Sequence, residues 1–368
     1  WLKECLSNHA DCPKPSIISA FIPSRVIDVG DSDGSQEPYL LKTQDQYIPE
    51  AEKRYVALSH CWGTAQIITT KLLTLSDRYR GIPMATLPRT FQDAVIVTRK
   101  LGLRYLWIDS LCIIQDSDED WENESVQMCN IYHNALFTVS AAHASNSSTG
   151  CFFQRDGLLH LPFELSFPLA ESEGDTIKTL FAPLPRQQIL NYHEPPLYGR
   201  AWVLQEQVLS PRMLIYDGDQ LRWECLTMHG SERSPLGGVS RHIGASKAIR
   251  KGITDSREDF FILAEFDEEF PPRYQHQDWC YAVMDYTHRG MTNQSDRLIA
   301  ISGIAEAIQR RTKNVYVSGL WQDQLALGLL WNIPFEPEFT PTTMFAFTIP
   351  PSTRHDKAIA PSWSWASV

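Results

Sequence analysis

The segment Leu87–Asp109, LPRTFQDAVIVTRKLGLRYLWID, decides the fold because it joins an amphipathic helix to a short apolar strand. Thr90 and Asp93 have the three-residue spacing of a capping box at the start of the helix. Gly102 stands where a glycine commonly ends a helix. Tyr105–Asp109 (YLWID) follows as a buried strand that ends in an acidic residue. The segment therefore predicts one repeat of an α/β protein.

The same alternation extends to both sides of this segment. Tyr55–Gly63 (YVALSHCWG) has the apolar first half of a buried strand and then enters a loop. Asp120 is a candidate cap for a helix, and Leu136–Ala142 (LFTVSAA) is the next strand. Strands that alternate with helices predict a parallel sheet with helices on both faces.

The rest of the chain elaborates this core. We predict an irregular lead-in over 1–50, an α/β core over 51–226 with an insertion at 143–198, a mobile loop over 227–256, and a mostly helical extension packed on the core over 257–368. Within these parts we predict strands at Arg25–Val29, Tyr39–Lys42 and the tail Ser362–Ala366 (SWSWA), and a hairpin of Arg212–Tyr216 and Leu221–Cys225 around Asp217-Gly218.

Composition excludes several classes of protein. The 368 residues carry a net charge of −11, which argues against a general nucleic-acid binder. No apolar run approaches the roughly 20 residues of a membrane span, and no signal peptide opens the chain. Eight scattered cysteines without a C-x-x-C pair indicate reduced thiols. We therefore expect a cytoplasmic protein.

Metal-binding patterns are incomplete. Cys5, His9 and Cys12 offer three soft ligands close together, but a structural zinc ion takes four. The run 116–120 resembles the start of a calcium loop, yet Trp121 stands where that loop needs glycine. We therefore predict no metal site, and a solvated helix start at the acidic run.

Polar residues follow the first two predicted core strands. Ser59, His60, Trp62 and Gly63 follow one strand, and Asp109 ends the other, at the edge where parallel sheets present groups to ligands. A glycine there lets a ligand approach the backbone. The alternatives are that Asp109 caps the next turn and that Trp62 is a core residue. A nucleophilic pair of His60 with Cys61 is disfavoured because neighbouring strand residues point to opposite faces.

The segment RAWVLQE, Arg200–Glu206, places an aromatic ring and a carboxylate four residues apart, hence on one helical face. By itself it is compatible with a packed Trp202 and a surface Glu206 paired with Arg200 or Arg212. A functional interpretation of the segment is favoured because its helix should begin near the sheet edge that carries Ser59 and Asp109.

Four blocks together resemble the fungal heterokaryon-incompatibility (HET) domain, and shorter matches such as DRLIAISGIA (296–305) and APSWSW (360–365) resemble its common flanks. The blocks are YVALSHCWG (55–63), LPRTFQDAVIVTRKLGLRYLWIDSLCIIQ (87–115), DWENESVQMCNIYHNALFTVSAA (120–142) and RAWVLQEQVLSPRMLIY (200–216). That domain is similar, more distantly, to the Toll/interleukin-1 receptor (TIR) domain. The resemblance implies an α/β fold with a TIR-like (flavodoxin-like) parallel sheet core, flanking helices, and hairpin and helical elaborations. His60 departs from the tyrosine more common in the family, and Val203 from the TIR cysteine.

The resemblance also implies a function: fungal non-self recognition and regulated cell death, with NAD⁺ cleavage by some TIR domains. It makes Glu206 the expected catalytic residue of an NAD⁺ nucleosidase that needs no cofactor, with NAD⁺ as substrate. Ser59, His60, Trp62, Gly63, Asp109 and Trp202 are then expected to line the site. Two alternatives stay open: a signalling module that acts by self-association, and a scaffold recruited for small-molecule biosynthesis.

Overall fold

The computed structural model describes residues 1–14, 21–63, 67–155, 195–237, 275–331 and 359–368, and in addition the backbone of 163–168 and 177–182. The strands, in chain order, are β1 Arg25–Asp28, β2 Tyr39–Lys42, β3 Tyr55–Ser59, β4 Tyr105–Trp107, β5 Phe137–Ser140, β6 Phe163–Pro168, β7 Ile177–Ala182, β8 Arg212–Tyr216, β9 Leu221–Cys225, β10 His229–Ser231, β11 Tyr316–Val317 and β12 Leu320–Trp321. The α-helices are α1 Leu2–Asn8, α2 Leu75–Arg80, α3 Arg89–Lys100, α4 Asp109–Cys112, α5 Asp118–Asn134, α6 Ala201–Leu209, α7 Gln275–His288, α8 Ile299–Thr312 and α9 Leu325–Gly328.

The central sheet has eight strands in the order β10-β9-β8-β5-β3-β4-β1-β2. The four in the middle are parallel, whereas β9–β10 on one side and β1–β2 on the other add antiparallel neighbours. Across the sheet from β4 to β8, the parallel strands are the second, first, third and fourth in chain order, which is the order of flavodoxin-like doubly wound sheets over four strands. The expected α/β fold with a parallel core is therefore confirmed.

Burial on both faces explains why the central strands read as unbroken apolar runs. All five residues of β3 and all four of β5 are buried, as expected for parallel strands covered by helices. The aromatic rings of Trp107 on β4 and Tyr132 on α5 meet edge to face at 5.6 Å. Helix α3 buries Phe91, Ala94 and Val95 in the same core.

Two residues that were predicted as helix caps make tertiary hydrogen bonds instead. Thr90 and Asp93 lie inside α3 and accept hydrogen bonds from the backbone N–H groups of Gly150 and Cys151, at 3.1 and 2.6 Å. Asp120 lies inside α5, which Ser117 caps by accepting from the Asp120 N–H at 3.2 Å. The predictions of Thr90 and Asp120 as caps are wrong because tertiary partners compete for these side chains.

The helical extension forms a second hydrophobic cluster with one face of α6. Ala201, Leu204 and Val208 of α6 pack there with residues of α7 and α8. The predicted strand SWSWA is wrong: Trp365–Ser367 is a turn of 3₁₀-helix, and the Trp365 indole donates to the Gly319 carbonyl at 2.9 Å. The buried indole N–H needs a hydrogen-bond acceptor. This requirement, and not the strand-like alternation of the sequence, decides the conformation here.

Two other segments differ in detail from the sequence expectations. The insertion 143–198 contains the hairpin β6–β7, which forms a two-stranded sheet of its own. The predicted mobile loop 227–256 begins with β10, which pairs with β9 at the sheet edge. Residues 238–256 lie outside the described part of the chain. Among the described helices, none has both the length and the apolarity that crossing a bilayer requires.

Candidate functional site

The site lies where the order of the parallel strands reverses, between β3 and β5. Ser59 and Ser140, the last residues of these strands, are register partners and are fully buried. Neither hydroxyl oxygen lies within 3.5 Å of a hydrogen-bond partner among the described residues, although the Ser59 hydroxyl is close enough to Glu206 to lower the pKa of that carboxyl. Doubly wound sheets bind ligands outside the carboxyl ends of the strands at this reversal. Buried hydroxyls without partners are uncommon in folded proteins and therefore mark this edge as a place for a polar ligand.

Helix α6 brings Glu206 to this edge. The side chain is buried, with 5% of the residue exposed, and its Oε2 has no hydrogen-bond partner within the described ranges. Burial raises the pKa of Glu206 to about 7, while Arg200 and the Ser59 hydroxyl act in the opposite direction. The interpretation of Glu206 as a surface residue is wrong. A buried carboxyl whose pKa is raised to near neutral beside charged and polar groups is a candidate for chemistry.

Arg200 supplies the positive charge of the site. It immediately precedes α6, and its guanidinium Nη1 donates a short hydrogen bond to the His60 carbonyl. This bond ties the start of α6 to the loop that follows β3. Arg200 also lowers the pKa of both His60 and Glu206, as a cation close to both groups must.

His60, Trp62 and Asp109 form a polar cluster at the edge of the site. The Trp62 indole donates to Asp109 Oδ2 at 2.8 Å, and His60 Nδ1 lies 3.8 Å from Asp109 Oδ1. The Ser110 backbone N–H donates to the same Oδ1 at 2.7 Å, so Asp109 also begins the turn of α4. Burial lowers the pKa of His60 to about 4, against the pull of Asp109, and keeps the imidazole neutral at pH 7.

Gly63 is needed for a contact within the protein. Its φ is +75°, and a Cβ at this position would lie 2.4 Å from Asn146 Cβ in the loop after β5. The close approach expected here is therefore made by Asn146. Gly63 holds two loops of the site together rather than leaving room beside its own backbone.

Trp202 points away from this cluster. It packs between the main core and the helical extension, and it hydrogen-bonds Asp296, which opposes the rise that burial causes in the pKa of that carboxyl. Sharing a helical face with Glu206 does not bring it to Ser59, because α6 is buried on several sides. The structure thus brings together Ser59, His60, Trp62, Gly63, Asp109 and Glu206, and places Trp202 in the packing behind them.

Three residues of the site were not among the site residues predicted from sequence. Arg200 lies within the RAWVLQE segment, so its proximity to the site could have been inferred. Tyr132, whose hydroxyl lowers the pKa of Glu206, looks like an ordinary member of the apolar stripe of α5. Ser140 ends an apolar strand as Ser59 does, and that shared position was the available signal.

A cavity of about 460 Å³ lies elsewhere. It is lined by residues of the lead-in and of α5, among them Ser24, Thr43, Glu124 and Gln127, and none of its lining residues belongs to the Glu206 site. The candidate site is instead a cluster of buried polar side chains, with Asp109, whose side chain is 20% exposed, at its edge.

The fold is a doubly wound α/β domain. Where its strand order reverses, it holds Glu206, a buried carboxyl with a pKa of about 7. Residues 55–206 match the model of the family described as heterokaryon incompatibility protein (HET). The chain therefore carries a HET domain, and its matched segment ends at Glu206. No curated protein and no solved structure matches the chain.

Proposed function

We propose that this HET-domain protein acts in fungal non-self recognition and regulated cell death by cleaving NAD⁺ into nicotinamide and ADP-ribose, with Glu206 as the catalytic carboxylate. The observation that carries the proposal is the position of Glu206: buried at the strand-order reversal, beside Ser59 and Arg200, with a pKa of about 7. The TIR resemblance of the Trp-x-x-x-Glu spacing supports the same assignment.

The chemistry requires little more than one well-placed carboxylate. Breaking the nicotinamide–ribose bond builds positive charge on the ribose, and an ionised Glu206 would stabilise that oxocarbenium-like state. Nicotinamide leaves as a neutral molecule and needs no proton, and water then adds to the ribose and releases one proton. Arg200 and the backbone N–H groups near Ser59 would hold the diphosphate.

Burial sets a condition on this activity. Because Glu206 is only 5% exposed, NAD⁺ can reach it only after a rearrangement at the edge of the site, and we propose that the Trp62–Asp109 contact is the one that opens. Closure of this kind excludes water and strengthens electrostatic stabilisation inside the pocket. We therefore propose that activity rises when the domain self-associates and the edge of the site rearranges.

The test is nicotinamide release from NAD⁺ by the purified chain, measured over a range of protein concentrations. Glu206→Gln keeps the shape of the side chain and should lower the rate by about 10² to 10³. The wild-type rate should rise with pH through about 7, as Glu206 ionises.

Glu124→Gln is the matched control. Glu124 is also a buried glutamate whose pKa is raised by burial, but it lies on α5 and pairs with Ser24 and Arg25. This variant should keep the wild-type rate. Equal rates in the wild type and the Glu206 variant would remove Glu206 from the mechanism, and absence of release at every concentration would overturn the hydrolase proposal.

The same burial favours a second candidate, a signalling module that works by self-association alone. A carboxyl enclosed by Tyr132, Ser59 and Arg200 can serve to fix α6 against the sheet without meeting a substrate. This candidate predicts that Glu206→Gln changes neither the association state, measured by light scattering, nor cell death upon expression in a fungal host. The hydrolase proposal predicts that cell death is lost.

A further inference from the structure

Three cysteines and a histidine meet between the amino-terminal segment and the edge of the central sheet. Cys5 lies on α1, His9 and Cys12 follow it, and Cys225 ends β9. All four are buried, and one potential ligand atom from each lies within 4.8 Å of those of the others. The expectation that Cys5, His9 and Cys12 lack a fourth partner therefore does not hold: Cys225, 216 residues from His9, supplies it.

Two of the distances between ligand atoms are close to those of a tetrahedral centre. Zn–S bonds of about 2.3 Å and Zn–N bonds of about 2.0–2.1 Å place tetrahedral ligand atoms about 3.6 Å (N to S) and about 3.8 Å (S to S) apart. His9 Nδ1 lies 3.3 Å from Cys225 Sγ and 3.8 Å from Cys12 Sγ. Both distances use the same imidazole nitrogen, so one lone pair faces the centre of the cluster.

The positive charge of Arg212 also supports a metal ion at this cluster. Arg212 is fully buried, and its Nε lies 3.0 Å from Cys5 Sγ. Within the described ranges no carboxylate pairs with it; its other contacts are the carbonyls of Leu136 and Pro13. An unpaired buried cation is costly. One Zn²⁺ held by three thiolates and one neutral imidazole carries a net charge of −1, which would neutralise Arg212.

The turn after β9 supports thiolate at Cys225. The Met228 backbone N–H lies 3.2 Å from Cys225 Sγ, and the Thr227 hydroxyl lies 3.6 Å from Cys12 Sγ. Donors of this kind orient metal-bound sulfur and stabilise its charge. They reach two ligands, Cys12 and Cys225, that are distant from each other in the sequence.

We propose that Cys5, His9, Cys12 and Cys225 bind one structural zinc ion, which fastens the amino-terminal segment to the β9–β10 edge of the sheet. Four protein ligands close the coordination shell and leave no position for substrate, so the ion is structural. The site lies apart from Glu206 and stands whether or not the chain cleaves NAD⁺.

The test begins with the chain purified without a histidine tag or chelator, with metal measured by inductively coupled plasma mass spectrometry. We expect about one zinc ion per chain. Cys225→Ser should lower the zinc content at least about tenfold, because the weaker alcohol ligand replaces a thiolate. Cys151→Ser, which changes a buried cysteine outside the cluster, should retain the metal.

A second measurement does not depend on how the cysteine variants fold. Cobalt(II) bound to wild-type apoprotein should give the thiolate charge-transfer and intense ligand-field bands of a tetrahedral centre. His9→Cys restores a fourth ligand and should bind cobalt with a shifted spectrum, whereas His9→Ala should bind at least about tenfold more weakly.

Three results would overturn the proposal. The first is less than about one-tenth of a zinc ion per chain together with no tetrahedral cobalt spectrum. The second is full zinc content in Cys225→Ser. The third is a disulfide among Cys5, Cys12 and Cys225 in protein alkylated immediately on isolation, since a thiol oxidised in this way cannot ligate.

Discussion

The indole N–H of Trp62 donates a 2.8 Å hydrogen bond to Asp109 Oδ2 and joins the loops that follow two neighbouring parallel strands. Asp109 at the same time accepts from the Ser110 backbone N–H through its other oxygen. Asp109 is the first residue of α4, whose N-cap is Ile108 without a side-chain capping bond, so the interpretation of Asp109 as the cap of the next turn is wrong in detail. One carboxylate begins α4 and holds the loop of the first strand in place.

Trp62→Phe removes only the N–H donor of this pair. Because the acceptor is a partly buried carboxyl oxygen, a double-mutant cycle of Trp62→Phe with Asp109→Asn should give a coupling energy of about 1–2 kcal/mol. Denaturant unfolding of the four proteins measures it. A coupling near zero would mean that the bond contributes nothing to holding the loops together.

Glu206→Gln should stabilise the folded chain above neutral pH. Burial raises the pKa of Glu206 to about 7, from about 4.5 when unfolded. Between these values the folded state keeps a proton that the unfolded state releases, so this contribution to stability is full below about pH 4.5 and declines as pH rises to about 7. At pH 8 the glutamine variant should gain up to about 3 kcal/mol relative to the wild type. Equal unfolding free energies at pH 8 would contradict this expectation.

The contribution of His60 to stability changes with pH in the opposite direction. Burial lowers its pKa to about 4, below the 6.5 of an exposed histidine, so the unfolded state binds a proton first as pH falls. The stability that His60 contributes is complete above about pH 6.5 and is lost as pH drops to about 4, by up to about 3 kcal/mol. His60→Gln should flatten this acid limb of the stability curve. An unchanged slope between pH 4 and pH 6.5 would show that other groups govern it.

Gly63→Ala should destabilise the chain more than Gly102→Ala. Both glycines have positive φ, +75° and +68°, so both variants incur the backbone strain of about 1 kcal/mol. Only at Gly63 would the new methyl group meet Asn146, whereas no atom lies within 4 Å of a Cβ at Gly102. The difference in unfolding free energy should be about 1–3 kcal/mol. Equal losses would show that the Asn146 loop moves aside at little cost.

Local pattern was sufficient for the elements that form the middle of the fold. Apolar runs gave β3, β4 and β5, and Asp217-Gly218 marked the β8–β9 hairpin. Each of these depends on residues only a few positions apart. The caps failed at Thr90 and Asp120 because partners distant in sequence, at Gly150 and Arg25, took the side chains.

The part of the site that lies at the ends of the parallel strands was predictable from the sequence. Ser59 and Asp109 follow parallel strands, and such ends meet at one edge whatever the loops do. The direction of Trp202 depends on how the helical extension covers α6, and periodicity does not encode that packing. The pairing of Cys225 with His9 spans 216 residues and leaves no local trace.

Helix α6 has a second apolar face, which packs on the helical extension. The segment that matches the family is therefore shorter than the segment that can fold as a unit. The shared stretch stops at Glu206, inside a helix that continues to Leu209, before strand β8 pairs with β5. Gly303 of α8 approaches α6 so closely that a Cβ there would lie 2.4 Å from Gln205 Oε1. An excised 55–206 fragment would lose five of the eight strands of the central sheet, namely β1, β2, β8, β9 and β10, and would expose this helix face to water. We therefore expect a fragment that keeps this packing to extend through α8.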